Sequence, residues 1–394
     1  MVAWKQAAML IGFKLFFMKR FMYIILLLNL LIYSCSKSND TPVTKGETPV
    51  DWTAAADSSS LSLVDNFWNG TGKYFNSVNN GVADFQYWPN GHALDVLIDA
   101  YTRTNKGSYL STINNWYDGV QVKNGNTFLN EFYDDMEWNA LAMLRAFNAT
   151  GDEKFKTASI GVWTDIKSGW NTQGNGGIAW RKSQLYSKNA CSNGPACILA
   201  ARLFQQFKIN EDKEWALKIY NWEKEYLFNT ANGAIYDNLN ANTGEIQKTW
   251  IFTYNQGTFL GSALELYKIT GEKGYLNDAV KAADYTLNNL VNSNDQLLKD
   301  EGTGDGALFK GVFVRYFTQL ILLTDLADGT RTRYVNFLKY NAEALWLKGT
   351  NKNQVLFGKY WGTKPGSEIE LGEQLSGAML MEAAATLNIK KLIQ

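Results

Sequence analysis

Leu264-Glu265-Leu266-Tyr267-Lys268-Ile269-Thr270-Gly271-Glu272-Lys273-Gly274-Tyr275-Leu276-Asn277-Asp278-Ala279-Val280 joins an apolar run, a break and the start of a one-sided helix. Gly271 can end the first helix in the left-handed conformation, and the acidic residue after it can cap the next. Beyond the break Leu276, Ala279, Val280, Ala283, Leu287 and Leu290 share one helical face, with Asn, Asp and Lys opposite. Before it, residues 257–267 are more apolar around their circumference and rich in Ala and Gly. The same punctuation recurs at Asn105-Lys106-Gly107-Ser108-Tyr109, Thr150-Gly151-Asp152-Glu153-Lys154-Phe155, Asn210-Glu211-Asp212-Lys213-Glu214-Trp215 and Asp328-Gly329-Thr330-Arg331. The repeat therefore alternates a buried helix with an amphipathic one.

The buried set comprises residues 93–102, 136–147, 196–207, 257–267, 308–323 and 374–387, and the amphipathic set begins near Ser60. About six of each predict an all-α fold, an (α/α)6 barrel with six inner and six outer helices. Inner-to-outer turns take a few residues, whereas outer-to-inner stretches such as 171–193 and 230–254 run to roughly twenty and are full of Gly, Asn and Trp. Long loops in compact domains are usually functional. All of them fall on the face where the inner helices begin, so several helix N-termini are expected to surround one cavity.

Composition narrows the ligand. The 394 residues are 46% hydrophobic, enough for a large core, and the formal net charge of zero argues against nucleic acid or a polyanionic substrate. Fourteen Trp and twenty Tyr exceed what a core needs and suit stacking on flat, neutral rings. His92 is the only histidine, which excludes most Ser-His-Asp and Cys-His machinery and any multi-histidine metal site. No metal or cofactor is expected, and carboxylates must carry the chemistry.

Residues 1–35 read as an export signal. Lys19 and Arg20 precede an apolar run over 21–33, too short to span a membrane, and Leu31-Ile32-Tyr33-Ser34-Cys35 looks like a bacterial lipobox that would leave Cys35 lipidated. Met18 makes a compact start for this segment. Residues 36–57, rich in Ser, Thr, Asp and Pro, read as a flexible linker, and 58–394 as one catalytic domain. The expected location is the outer membrane of a bacterium, by lipid anchor only, as a monomer. Spacing leaves open whether Cys191 and Cys197 form a disulfide.

Phe132-Tyr133-Asp134-Asp135-Met136-Glu137-Trp138 opens an inner helix on the long-loop face. Two adjacent carboxyl groups among aromatic rings cannot both titrate normally, and paired carboxylates are the equipment of glycoside hydrolysis. From spacing alone, Asp134 followed three residues later by Glu137 also fits a helix cap. Asp152 and Glu153 form an equally acidic pair, but in a short turn on the opposite face.

Tyr133-Asp134-Asp135-Met136 followed by Trp138, Leu141, Ala142, Leu144 and Arg145 resembles the signature of glycoside hydrolase family 76, the endo-acting α-1,6-mannanases. So do Gly176-Gly177-Ile178-Ala179-Trp180, Lys188-Asn189-Ala190, Asn193-Gly194-Pro195-Ala196, Ile235-Tyr236-Asp237, Tyr254-Asn255-Gln256-Gly257 and Phe309-Lys310-Gly311-Val312-Phe313 with Arg315. The resemblance covers about residues 60–390. It implies hydrolysis of α-1,6-linked mannan or mannooligosaccharides with retention, Asp134 acting as nucleophile and Asp135 as general acid/base.

The candidate substrate-binding residues are Trp88, His92, Trp180, Asn189, Asp237, Tyr254, Asn255, Gln256 and Trp361. Each has a structural counterpart: Asp237 as a turn residue, Asn255 and Gln256 as caps, His92 as a satisfied polar residue near the pocket. Arg315, two turns into an apolar helix, is expected in a buried salt bridge. Rival readings are another (α/α)6 enzyme, of unsaturated glucuronyl hydrolase or sugar epimerase type, and a non-catalytic glycan-binding lipoprotein. The first wants basic residues around an acidic sugar, the second histidines, and the third has no need of adjacent aspartates.

Overall fold

The computed structural model describes residues 49–394. The export segment, Cys35 and most of the expected linker lie outside the described residues. Six inner helices, α2 (Tyr87–Thr104), α4 (Tyr133–Thr150), α6 (Ala190–Phe207), α8 (Thr253–Thr270), α10 (Gly306–Ile321) and α12 (Leu371–Ile389), pack side by side in chain order, and α12 returns to α2 to close the ring. Outside it lie α1 (Trp52–Phe67), α3 (Gly107–Lys123), α5 (Glu153–Ile166), α7 (Asn210–Tyr226), α9 (Lys273–Asn289) and α11 (Asp328–Leu347). Among the described residues this is the expected (α/α)6 barrel.

Outer helices α3, α5, α7 and α9 each pack on the inner helix before them, α11 lies across α10 and α12, and α1 packs on α12, so the two ends of the described chain join. Trp52 Nε1 donates to Gln394 O at 3.3 Å and Ser60 Oγ to Glu382 Oε1 at 2.7 Å. The domain starts earlier than expected. Asp51 caps α1 by accepting from Ala54 N at 2.9 Å, and Trp52, Ala55 and Ala56 are buried, so residues 51–57 belong to the barrel rather than to a linker. Their polar composition conceals a cap followed by a small-residue face.

The inner ring closes tightly because small residues sit where helices cross. A Cβ at Gly257 would lie 2.7 Å from the Phe313 backbone, and one at Gly311 2.7 Å from that of Ser376. Asn105, Gly151 and Gly271 take the left-handed cap conformation as the turn pattern predicts. Two turns differ. Lys208, not Asn210, adopts the left-handed cap at φ 61°. Gly329 lies inside the first turn of α11, and the Arg331 guanidinium donates to the last carbonyl of α10, Ile321 O, at 2.8 Å and to Thr324 O of the connection at 3.0 Å.

The long connections carry short antiparallel strands: β1 (Trp68–Asn69) pairs with β2 (Tyr74–Phe75), β4 (Asn238–Asn240) lies between β3 (Ser187–Asn189) and β5 (Glu245–Ile246), and β6 (Thr350–Asn351) pairs with β7 (Leu356–Phe357). Four inner helices fasten these loops in the same way. Asn90, Asn193, Gln256 and Gln374, each buried in or near the first turn, accept from one loop N–H (Phe75, Ile178, Ile235 and Phe357) and donate to loop carbonyls. One amide thus satisfies both a donor and an acceptor of a buried strand.

Candidate active site

Five inner helices present their first turns to one cavity of about 670 Å³, at the end of the barrel where the long loops cluster. Asp134 and Asp135 form part of it. Helix α4 starts at Tyr133 with Phe132 as its cap residue, so Asp134 is the second helical residue and caps nothing. Glu137 does not close a capping box either: it is fully buried and neither carboxyl oxygen has a hydrogen-bond partner. The first turn is fixed instead by the loop before β3. Tyr133 N donates to Trp180 O, Trp180 N to Ser187 O, and Lys182 N to Glu131 O, at 2.8 to 2.9 Å. This brings Trp180 over the helix start, its ring edge-on to Phe132 at 5.2 Å.

Successive helical residues diverge by about 100°, and the two carboxyls face different walls. Asp134 turns toward α6 and α8, where Cys191 Sγ lies 3.3 Å from its Oδ2 and the Tyr254 hydroxyl is near. Asp135 turns toward α2 and α10, feeling Asp305 and acting on the Tyr87 phenol. Trp88 Nε1 donates to Asp305 Oδ1 at 2.9 Å, tying those two helix starts together. Tyr254 and Phe309 stack at 3.9 Å, forming an aromatic wall. Asp237 lies across the cavity, held by Asn255 Nδ2 at 3.0 Å and Asn238 Nδ2 at 2.8 Å.

No lysine or arginine lines the cavity among the described residues. Both aspartates keep an edge on it but sit deep in protein. Burial pushes Asp134 up to about 7, partly offset by the Cys191 thiol and by N–H groups of its own helical turn. Burial, then the charge of Asp134, then that of Asp305 push Asp135 well above the usual carboxylate range. Both carboxyls are thus raised, and charge on one disfavours charge on the other, so the pair holds a proton more readily than two separate aspartates would. Behind them Glu137 and Glu223, both fully buried with unpartnered oxygens, are also raised, chiefly by burial.

The sequence profile of Glycosyl hydrolase family 76 matches residues 51–393, almost all of the described chain. The chain belongs to Glycosyl hydrolase family 76. A solved α-1,6-mannanase of this family from Salegentibacter sp. HEL1_6 is 43% identical, covering 86% of this chain and 100% of its own with a TM-score of 0.82. An inactive variant of that enzyme, with two adjacent aspartates replaced by alanine, is solved in complex with α-1,6-mannotetrose. A putative mannan endo-1,6-α-mannosidase of Schizosaccharomyces pombe is 25% identical, over 84% of this chain and 82% of its own.

Within this family 76 barrel, seven of the expected residues meet at the cavity: Trp88, Asp134, Asp135, Trp180, Asn189, Asp237 and Tyr254. Four do not. Gln256 is consumed by the loop carbonyl of Gly233 and the Ala282 carbonyl of outer helix α9, and Asn255 stands behind Asp237 as its hydrogen-bond donor. Trp361 is fully buried under the Lys310 ammonium. His92 packs between Trp88 and Trp138 with neither ring nitrogen partnered, and burial lowers it to about 3, so it is a neutral spacer rather than a satisfied polar group.

Arg315 pairs with Asp99 at 3.1 Å and Asp95 at 3.5 Å, as expected. Cys191 and Cys197 are free thiols, the first at the cavity and the second donating to Ala216 O at 3.3 Å. Sequence reasoning missed Asp305 and Trp250, which also line the cavity; Trp250 is 53% exposed. Both carried a signal: an acid in Gly302-Thr303-Gly304-Asp305-Gly306 before an inner helix, and a tryptophan late in a long loop.

Proposed function

We propose that this family 76 glycoside hydrolase is an endo-acting α-1,6-mannanase that cleaves mannan backbones with retention. The observation that carries it is the placement of two adjacent, deeply set carboxyls on different walls of an aromatic cavity with no lysine or arginine in its lining. A neutral polysaccharide suits such walls: rings stack on sugar faces, and Asp237, Asn189 and Asn238 offer hydroxyl partners. An acidic sugar would meet carboxylates and no cation. The mannooligosaccharide complex of the inactive Salegentibacter variant supports the same substrate class and the same aspartate pair.

In the proposed reaction Asp134, as the carboxylate, attacks the anomeric carbon, while Asp135 gives its proton to the departing glycosidic oxygen. Asp135, now charged, then takes a proton from water, which releases the sugar from Asp134 with its original configuration. The aspartates change roles electrostatically as they react: once Asp134 is esterified, the negative charge that raised Asp135 is gone, and Asp135 becomes an effective base. An exported, lipid-anchored placement through Cys35 belongs to the same proposal and rests on residues 19–35 of the sequence alone.

The test is digestion of linear and branched α-1,6-mannan, with products resolved by size and the first-formed anomer followed by proton NMR. Release of short α-1,6-mannooligosaccharides as α-anomers is expected. Binding without cleavage would favour a non-catalytic glycan-binding role, and a β-anomer appearing first would overturn retention.

A further inference from the structure

Cys191 is the second residue of α6, 3% exposed, and its Sγ lies 3.3 Å from Asp134 Oδ2. Asp134 Oδ1 is buried and has no partner. The two oxygens of this carboxyl are therefore inequivalent. The groups that face Asp134 are acidic or neutral: Asp135 and Glu137 from α4, Glu223 from α7 acting through Glu137, Cys191 from α6, Tyr254 from α8 and Asp237 from the loop before β4, with Asp305 of α10 facing Asp135. In such surroundings each hydrogen-bond donor to the carboxylate counts, because among the described residues no lysine or arginine lines the cavity to stabilise the charge. The hydrogen bond to its Oδ2 comes from the thiol, and the Trp180 ring and the backbone N–H groups of its own turn also favour its charged form. Burial and the nearby acids push the thiol well above its ordinary range, so it stays S–H and does not compete as a thiolate.

We propose that Cys191 is a positioning residue for the nucleophile, its S–H holding the Asp134 carboxylate in its orientation at the cavity and stabilising its charge. The inference rests on the reading of Asp134 as nucleophile. In the glycosylation step an electron pair of the Asp134 carboxylate forms the bond to the anomeric carbon. The electrons of the broken C–O bond pass to the leaving oxygen, which takes the Asp135 proton, and the thiol proton stays on sulfur.

The experiment compares pH profiles of kcat/KM on a mannooligosaccharide for wild type, Cys191→Ala, Cys191→Ser and Asp134→Asn, each checked for folding by circular dichroism. Cys191→Val, close in volume and also lacking a donor, replaces the alanine variant if that one does not fold. Loss of the donor is expected to move the acid limb up by about half to one pH unit and to lower kcat about tenfold with little change in KM. Cys191→Ser, which restores an O–H donor, is expected to return both most of the way. An acid limb unmoved in the folded alanine or valine variant overturns the proposal, as does a serine variant no better than alanine, since thiol packing alone would then be the role. Movement of the alkaline limb instead also overturns it, by making Asp134 the proton donor. Turnover surviving in Asp134→Asn would defeat the two-aspartate reading itself, whatever the Cys191 variants do.

Discussion

Helix α4 has an acidic pair at each end, and they share little beyond composition. Asp134 and Asp135 open it; Asp152 and Glu153 follow its close at Gly151. At the far end Asp152 caps α5 by accepting from Lys154 N, with the Lys154 ammonium 3.3 Å away, and Glu153 pairs with Lys156 at 2.9 Å in solvent. At the near end no lysine or arginine among the described residues lines the cavity around the pair, and both carboxyls are held above their usual range. Between the ends α4 carries Arg145, which binds Asp95 and Asp99 of α2. A carboxylate that meets a cation or a free N–H is spent on structure. One that meets other acids inside protein keeps its proton chemistry available.

Replacing carboxyl by amide at the two ends should break the symmetry most strongly. Asp134→Asn and Asp135→Asn are each expected to lower kcat/KM on α-1,6-mannooligosaccharides by on the order of 10³-fold or more, with an unchanged far-UV spectrum. If either variant retained a tenth of wild-type turnover, the near end would be as structural as the far one.

The middle of the helix provides the next largest effect. Arg145→Met leaves Asp95 and Asp99 short of a buried counter-charge, although Arg315 still contacts both. A loss of about 2–3 kcal/mol is expected in urea unfolding, below the full cost of orphaning a buried ion because this guanidinium is partly exposed. The kcat of the folded fraction should not change, since Arg145 lines the opposite cavity, shared with Arg202 and Glu265, and not the one holding the aspartates.

A smaller effect separates the ends by pH. Asp134 is raised from 3.8 to about 7 in the folded chain, so between those values the native state binds more protons than the unfolded one. Stability contributed by this group is then present below the unfolded value and falls as pH rises through the window. Asp134→Asn, which cannot ionise, should gain on wild type by roughly 1–2 kcal/mol between pH 4 and pH 8, less than the nominal shift because the carboxyl keeps an edge on solvent and is coupled to Asp135. Urea titrations at four pH values would show it. A gain of the opposite sign would mean that Asp134 is stabilised as an anion.

How far the sequence discloses this follows from what each feature depends on. The barrel was legible because its cause is periodic: one-sided helices alternate with more apolar ones, and the glycines at 151 and 271 punctuate them. The aspartate pair was legible through its position on the long-loop face. Gln256 and Asn255 misled because an amide at an inner helix start has two possible partners, a sugar hydroxyl or a loop strand. Asn90, Asn193 and Gln374 occupy corresponding places and all take the strand. Trp361 misled because aromatic content does not say which face of a loop is covered. Cys191 could not be read as a neighbour of Asp134, since that contact joins two helices 57 residues apart.

The smallest effect is also the control for the largest. Asn is as good a helix cap as Asp, so Asp152→Asn should leave stability within a few tenths of a kcal/mol of wild type, whereas Asp152→Ala, which loses the bond to Lys154 N, should cost about 0.5–1 kcal/mol. The ion pair to Lys154 adds little to that, being exposed. Neither change should alter kcat or KM. The same amide substitution is thus silent where the carboxylate serves as an acceptor and disabling where it must exchange a proton or form a bond. Differential scanning calorimetry paired with the mannooligosaccharide assay on Asp152→Asn and Asp134→Asn isolates that distinction, because both remove one negative charge from the ends of a single helix. Matching activity losses would show that charge at the helix ends, rather than the chemistry of a buried pair, governs the enzyme.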